Sequence, residues 1–341
     1  MIRVSGLTKD FSVYKKEKGL LGSLRGLFNA KKETVRAVDG VDFHIGKGEM
    51  VGYIGANGAG KSTTIKMMTG ILTPTSGSCT VNGLVPWKNR RENARRIGVV
   101  FGQRTQLWWD LPLTETFSIL KEIYDVSAAD FGPRMEFLDS VLDMKPFMSQ
   151  PVRTLSLGQR MRADLAASLL HNPTVLFLDE PTIGLDVVVK EKIRKAIRRI
   201  NEEFATTLVL TTHDLNDIEE LCSRILIIDR GRLIYDGGLA EIREKYGFMR
   251  TISLDFQGDL RDFEFSTALA KRFRLEAGEF AISREGESTV AVCFDKRKVT
   301  AAEVLTFAME RLKLLDMRIA ETEIGEIVSK IYTEAGNAAE N

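Results

Sequence analysis

A glycine-rich segment at residues 55–63 carries the clearest chemical pattern in the sequence. It has the form Gly-x-x-x-x-Gly-Lys-Ser and stands between an apolar run at residues 51–54 and a helical pattern from Ile65, the strand, loop and helix order of a phosphate-binding loop. Glycines let the backbone curl until its N–H groups surround a phosphate. Lys61 would add positive charge at the terminal phosphates, and Ser62 would offer a hydroxyl to Mg²⁺. The predicted nucleotide-binding residues of this loop are Gly55, Ala56, Asn57, Gly58, Ala59, Gly60, Lys61, Ser62 and Thr63.

Two adjacent carboxylates, Asp179 and Glu180, follow the apolar run at residues 175–178. In a nucleotide site the first carboxylate can hold Mg²⁺, and the second can accept a proton from an attacking water. Alone, a strand that ends in Asp-Glu is weak evidence, because a solvated strand end has the same sequence. Next to a phosphate loop, the pair favours nucleotide chemistry.

Further motifs follow in order along the chain. Residues 155–159, Leu-Ser-Leu-Gly-Gln, resemble the signature loop of the ATP-binding cassette (ABC) ATPases. Gln103, after the apolar run at residues 97–101, resembles the glutamine of that family's Q-loop, and Asp186 resembles the aspartate of its D-loop. His213 resembles the family's switch histidine. The resemblance extends from residue 1 to about residue 245 and implies ATP and Mg²⁺ as substrate and cofactor.

The resemblance also implies roles for single residues. Glu180 would be the general base, a role usually worth about 10² to 10⁴ in rate, and His213 would keep the attacking water in line. The implied catalytic residues are Glu180, His213, Lys61 and Gln103, and the implied Mg²⁺ ligands are Ser62, Gln103 and Asp179.

The signature loop is implied to act on a second subunit. Ser156, Gly158 and Gln159 would face ATP that is bound to the partner, because residues 55–63 already surround the phosphates of the chain's own ATP. The active unit is therefore expected to be a head-to-tail dimer of two cassettes, a homodimer being the simplest form. Leu157 departs from the family pattern, which most often has glycine there.

The N-terminal region carries a further site prediction and an unusual insertion. Phe11 is the better match to the family's adenine-stacking aromatic, with Tyr14 as the alternative. Residues 15–33 hold six basic and two acidic residues, a net charge of +4, and have leucines at helical spacing. A basic amphipathic helix of this kind can contact an anionic membrane or a membrane partner, or it can be a solvated helix on its own cassette. Both interpretations stand.

The elements that must position these residues indicate an α/β fold. From residue 35 to residue 234, short apolar runs alternate with helical patterns, which is typical of a parallel sheet with crossover helices. We predict an ABC-type P-loop cassette over residues 1–246, with a helical signature subdomain at residues 107–151, and a small α+β domain over residues 247–341. In the latter, Thr300 and Glu303 form a capping box that opens a helix whose apolar stripe is predicted to reach Leu315.

Composition narrows the classes of function. The chain has 48 basic and 47 acidic residues in 341, so a surface that coats nucleic acid is not expected. Its three cysteines lack the spacing of a zinc site or a disulfide framework. The longest segment without charged residues, 67–87, is rich in Thr, Ser, Gly and Pro, so no segment is predicted to span a membrane.

The preferred function is the ATP-hydrolysing motor of an ABC transporter, resembling bacterial export-type cassettes of the ABC-2-like kind. It would drive separately encoded integral membrane permease subunits from the cytoplasmic face of the inner membrane, as a peripheral protein. Trp108 and Trp109 lie where the family docks its permease, although burial in the helical subdomain is the alternative. A soluble cassette ATPase that acts on ribosomes or DNA, and a nucleotide clamp without turnover, are the competing functions. The cargo, the permease and the role of the C-terminal domain stay open.

Overall fold

The computed structural model describes residues 1–14, 32–102, 104–258, 262–276, 278–286 and 288–340. Most of the predicted basic insertion at 15–33, the whole of Gln103 and the side chain of Tyr14 lie outside the described residues. The chain divides into two compact units, Met1–Gly237 and Gly238–Asn341. The second unit thus begins ahead of the boundary that the sequence predicts after residue 246.

The secondary structure alternates through the first unit and becomes strand-rich in the second. The strands are β1 Ile2–Tyr14, β2 Lys32–Ile45, β3 Met50–Gly55, β4 Ser76–Val81, β5 Ile97–Phe101, β6 Val175–Asp179, β7 Thr207–Thr211, β8 Arg224–Asp229, β9 Arg232–Gly238, β10 Met249–Gln257, β11 Phe280–Arg284, β12 Thr289–Asp295 and β13 Lys313–Glu321. The α-helices are α1 Lys61–Met68, α2 Arg90–Ala94, α3 Leu113–Ile123, α4 Ala128–Leu142, α5 Leu157–Leu169, α6 Val187–Phe204, α7 Leu215–Leu221, α8 Leu239–Tyr246, α9 Asp262–Phe273, α10 Ala301–Met309 and α11 Ile324–Glu340. Short 3₁₀ turns occupy Lys145–Phe147 and Val152–Thr154.

A six-stranded sheet in the order β5-β6-β7-β3-β8-β9 forms the centre of the first unit. Strands β5, β6, β7, β3 and β8 run parallel, and their short runs of Val, Ile and Leu are buried, as strands covered on both faces require. The register places Asp179 beside Phe101 on one side and beside Thr211 on the other. The predicted catalytic carboxylates therefore lie at the carboxyl edge of the sheet, where α/β folds hold ligands.

A three-stranded antiparallel sheet, in the order β2-β1-β4, adds to this framework. Its apolar side chains join those of α1 and the parallel sheet in one core, which includes Ile2, Val51 and Met67. The signature region is helical, as predicted, with α3, α4 and α5 tied together by their caps and loops. No described helix combines the length and the apolar composition that crossing a membrane would take.

The second unit contains an antiparallel sheet in the order β11-β12-β10-β13 with helices packed on it. The capping box of Thr300 and Glu303 is present at the start of α10. The predicted continuation of that helix to Leu315 is wrong, because α10 ends at Met309 and Leu315 lies in β13. Helical spacing of the leucines continues past the helix end, but pairing with β10 satisfies the backbone of this segment instead.

Candidate active site

The glycine-rich loop curls around the start of α1. Gly60 has φ = 111°, and a Cβ atom there would stand 2.5 Å from the carbonyl oxygen of Ala37, so this position requires glycine. The Ala59 N–H donates to the oxygen of Ala56 at 3.1 Å, and the Thr64 N–H donates to that of Gly60 at 2.9 Å. These bonds fix the loop so that the free N–H groups at the helix start can serve an anion.

Lys61, the first residue of α1, places its ammonium inside the loop. Its Nζ donates to the carbonyl oxygens of Gly55, at 2.6 Å, and Ala56, at 3.2 Å. Burial lowers the pKa of Lys61, while the negative charges of Glu180 and Asp179 act in the opposite direction. The site thus combines one buried cation with two carboxylates of the next motif.

Asp179 connects the loop to the sheet. Its Oδ2 lies 3.5 Å from the hydroxyl of Ser62, and its Oδ1 accepts a hydrogen bond from the hydroxyl of Thr211 on the neighbouring strand. The Gly102 N–H donates to its carbonyl oxygen at 2.7 Å, which brings the residue before Gln103 to the same edge. A hydroxyl and a carboxylate are oxygen ligands of the type that Mg²⁺ prefers when phosphates complete its coordination, so these residues fit that ion.

Glu180 and His213 form a pair directly beside this group. The Nε2 atom of His213 lies 2.8 Å from Oε1 of Glu180. Glu180 has φ = 59°, a left-handed conformation that residues with side chains seldom adopt, and its N–H donates to the Thr211 oxygen at 2.9 Å. The turn after β6 is thereby held where the carboxylate meets the histidine at the end of β7.

The signature segment is built as a helix start. The hydroxyl of Ser156 accepts from the Gln159 N–H at 3.2 Å, and the Ser156 N–H donates to Gln159 Oε1 at 2.8 Å, which is a capping box for α5. A Cβ atom on Gly158 would come within 2.9 Å of Val189 on α6, the helix that Asp186 caps by accepting from the Val189 N–H. The signature and D-loop segments are therefore packed together, and none of these described hydrogen bonds reaches Lys61 or Asp179.

Phe11 lies apart on β1, where it pairs with Val35. Its ring is exposed, and the ammonium of Lys9 lies 5.3 Å from the ring centroid. An exposed aromatic ring with a cation nearby is a surface on which a nucleobase could stack. Tyr14, the alternative, and Gln103 are not positioned by the described residues.

Comparisons with known proteins agree with this arrangement. The family model described as ABC transporter matches residues 38–183. The ABC transporter ATP-binding protein NatA of Bacillus subtilis is 34% identical over 217 residues, which cover 64% of this chain and 88% of NatA. The chain belongs to the ABC transporter ATP-binding proteins. It is the ATP-binding and ATP-hydrolysing subunit of an ABC transporter, so the family resemblance of its motifs is confirmed.

Other relatives and solved structures of ABC proteins cover a similar share. The linearmycin resistance ATP-binding protein LnrL of Bacillus subtilis is 32% identical over 67% of this chain and 72% of its own length. The methionine import ATP-binding protein MetN of Halalkalibacterium halodurans is also 32% identical, over 66% and 68%. The dimeric ATP-binding cassette MJ0796, bound to ADP and Pi, superposes with a TM-score of 0.57 at 26% identity, over 70% of this chain and 99% of that one.

Several residues of this ABC ATPase site escape prediction from motifs. Asp217 on α7 is fully buried and accepts hydrogen bonds from the hydroxyls of Thr182 and Thr212, which flank the Glu180 and His213 turns. Burial raises its pKa, although Arg194 lies 3.2 Å away. The only sequence signal for such a residue is an acidic side chain on the apolar face of a short helix.

Asp164 on α5 is a second residue of this kind. Its Oδ1 accepts from the Thr105 hydroxyl at 2.9 Å and from the Gln106 N–H at 3.0 Å, and the Gln106 side chain donates to its carbonyl oxygen at 3.1 Å. Burial raises the pKa of Asp164 to about 6. This carboxylate thus ties the segment after Gln103 to the helix that the signature loop begins.

Proposed function

We propose that this ABC ATPase is the motor of an exporter, and that ATP-dependent closure of a dimer drives a separately encoded membrane permease. The observation that carries the catalytic part is the Glu180–His213 pair, 2.8 Å apart, next to the Ser62–Asp179 pair. A carboxylate base, a histidine beside it and a phosphate loop are the parts that hydrolysis of a terminal phosphate needs.

Each residue of the group has a role in this proposal. Glu180 accepts the proton of the attacking water, and His213 holds that water and the terminal phosphate in line. Lys61 moves its ammonium from the loop carbonyls to the phosphates. Ser62 and Asp179 hold Mg²⁺ together with Gln103, which lies outside the described residues, and the ion would neutralise phosphate charge.

The adenine and the second nucleotide engage other residues. Phe11 stacks on the adenine, with Tyr14 as the alternative. Ser156, Gly158 and Gln159 face the ATP of a second copy of the chain, and Asp186 of the D-loop lies in the same interface.

An exposed apolar surface supports this head-to-tail homodimer. Leu157 of the signature segment and Ile183, Val187 and Val188 around the D-loop are all exposed, the last two strongly. Contiguous exposed apolar side chains usually mark an interaction site. Leu157 also approaches Gly184 of the D-loop, so the residue that replaces the usual glycine forms part of this surface.

The permease contact is proposed for the loop after Gln103. Trp108 and Trp109 are exposed, whereas Leu107 anchors the loop by its burial. The Arg160 guanidinium lies 5.5 Å from the Trp109 ring centroid, and the Arg153 N–H donates to the Trp109 oxygen at 2.9 Å. The indole rings are thereby presented on a fixed backbone, as interface anchors are, with the protein peripheral at the cytoplasmic face of the membrane.

Export is the proposed direction because the Leu-Ser-Leu-Gly-Gln signature and the added C-terminal unit resemble export-type cassettes, and because LnrL is named for resistance. The methionine import relative is equally identical, so identity does not set the direction. Reconstitution with the permease, in vesicles with ATP outside, would measure the direction of substrate movement directly.

Glu180→Gln tests the catalytic proposal. The amide keeps the shape of the side chain but cannot take a proton, so steady-state phosphate release should fall by about 10² to 10⁴, while MgATP binding is retained and a closed dimer accumulates. Glu202→Gln on the exposed surface of α6 is the matched control and should hydrolyse ATP at the wild-type rate.

The result separates the competing functions. Near-normal phosphate release from Glu180→Gln would remove Glu180 as the base. Absence of hydrolysis in the wild type, together with tight MgATP binding, would favour the nucleotide clamp over the motor.

A further inference from the structure

Strand β13 forms one edge of the C-terminal sheet and presents apolar side chains to solvent. It pairs with β10 on one side, and none of the described strands pairs with its other side. Leu315, Met317 and Ile319 are 65%, 53% and 46% exposed. A nine-residue edge strand with exposed apolar side chains and open backbone groups is a template for pairing with another strand.

The register shows why these side chains lack cover. Met317 stands opposite Leu254 and Ile319 opposite Ile252 on the neighbouring strand β10. Opposed residues of antiparallel strands point to the same face, and Leu254 and Ile252 are completely buried in the core of the unit. The apolar face of the sheet therefore continues onto β13, but the helices that cover it at β10 do not cover it there.

We propose that β13 pairs antiparallel with β13 of a second copy of this chain, with the two-fold axis at Met317. In this register Lys313 faces Glu321 of the second copy, and Asp316 faces Arg318. Leu315 faces Ile319, and Met317 faces its own equivalent. All four charged residues of the strand thus meet the opposite charge, which is the self-complementarity that an isologous interface needs.

Neighbouring symmetric registers lack this match. An axis at Asp316 would set the two Asp316 carboxylates against each other, and an axis at Arg318 would do the same with two guanidinium groups. Like charges directly opposite on paired strands are destabilising. The charge pattern therefore selects the register at Met317.

The backbone at the proposed axis is ready for exchange. The Met317 N–H donates to the neighbouring Asp316 Oδ1 at 2.7 Å. Pairing would give this N–H a carbonyl of the second copy and release the Asp316 carboxylate to Arg318 across the interface. The outer charges are already held in place along β10, Lys313 by Gln257 at 2.8 Å and Glu321 by Arg250 at 2.7 Å. A register shift beside Leu315 confines the regular part of the strand to residues 316–321, which includes the central charge pairs.

This surface goes beyond the proposed function, because the pairing needs no ATP and involves none of the nucleotide-site residues. The full chain without nucleotide should sediment as a reversible dimer at micromolar concentration. Arg318→Asp turns two attractive contacts into repulsive ones and should raise the dimer dissociation constant at least about tenfold. The double variant Asp316→Arg/Arg318→Asp restores opposite charges and should return the dissociation constant to near the wild-type value.

Cysteine crosslinking tests the register itself. Met317→Cys places two thiols directly opposite each other, within the Cα separation that a disulfide spans, and should give a covalent dimer under mild oxidation. Ile319→Cys is the matched control, because its two copies would stand about 13 Å apart along the strands, and it should stay uncrosslinked.

Three results would overturn the proposal: a wild-type chain that is monomeric without nucleotide, equal dissociation constants for Arg318→Asp and wild type, or equal crosslinking of the two cysteine variants. Far-UV circular dichroism and the ATPase rate of each variant show that it is folded. None of these results would affect Glu180 or the ATP-dependent dimer, which are assayed with nucleotide present.

Discussion

The two units of the chain bury charge in different ways. In the first unit, Asp164 and Asp217 are buried and bond to residues far along the chain, at Thr105 and Thr182 respectively. In the second unit, the buried Asp295 pairs with Arg297, only two residues away. Buried carboxylates are costly unless they are bonded, so a unit that uses them between distant segments gains a defined arrangement of those segments. The difference indicates that the first unit is organised around a site and the second around its core and its edge.

The largest stability effect tests whether the second core stands on its own. Phe256 is buried in that core, and Phe256→Ala should cost the C-terminal unit about 3–5 kcal/mol of its free energy of unfolding. All three tryptophans lie in the first unit, so tryptophan fluorescence follows that unit alone while circular dichroism follows both. In urea, the variant should lose a circular-dichroism transition early and keep the wild-type fluorescence midpoint. A fluorescence midpoint shifted by the same amount would mean that the units unfold together.

The pH dependence of stability should reveal Asp164 in the first unit. Its pKa is raised to about 6 from 3.8, so the folded protein holds a proton that the unfolded chain releases at lower pH. Its contribution to stability is therefore complete below about pH 4 and is lost as the pH rises to about 6, by roughly 3 kcal/mol. The free energy of unfolding of wild type, minus that of Asp164→Asn, should fall by this amount between these pH values. A difference that is constant with pH would contradict the prediction.

The smallest effect compares two equivalent helix caps. Ser156 and Thr300 both begin helices with complete capping boxes, one in each unit. Ser156→Ala and Thr300→Ala should each cost about 1 kcal/mol in the unit concerned. Only Ser156→Ala should also lower ATP hydrolysis, because the cap of α5 orders the signature segment that we propose faces the second ATP. Equal ATPase rates for the two variants would remove that distinction.

Features defined by neighbouring residues could be predicted well. The phosphate loop, the strand before Asp179 and the capping box at Thr300 each depend on contiguous sequence, and each is present in the structure. The end of α10 was not predictable in the same way. The spacing of Leu312 and Leu315 satisfies a helix, and only the available edge of β10 makes a strand the better solution.

The sequence by itself determined the family, the nucleotide chemistry and the α/β class, because these follow from short motifs and local periodicity. The tertiary structure decided which side chains complete the site and which surfaces are left open. Thr211 reaches Asp179, and Asp164 reaches Thr105, through the register of strands and the packing of helices. The apolar edge of β13 likewise exists only because the covering helices stop short of it. Contacts between residues far apart in the chain depend on the whole fold, and no local pattern specifies them.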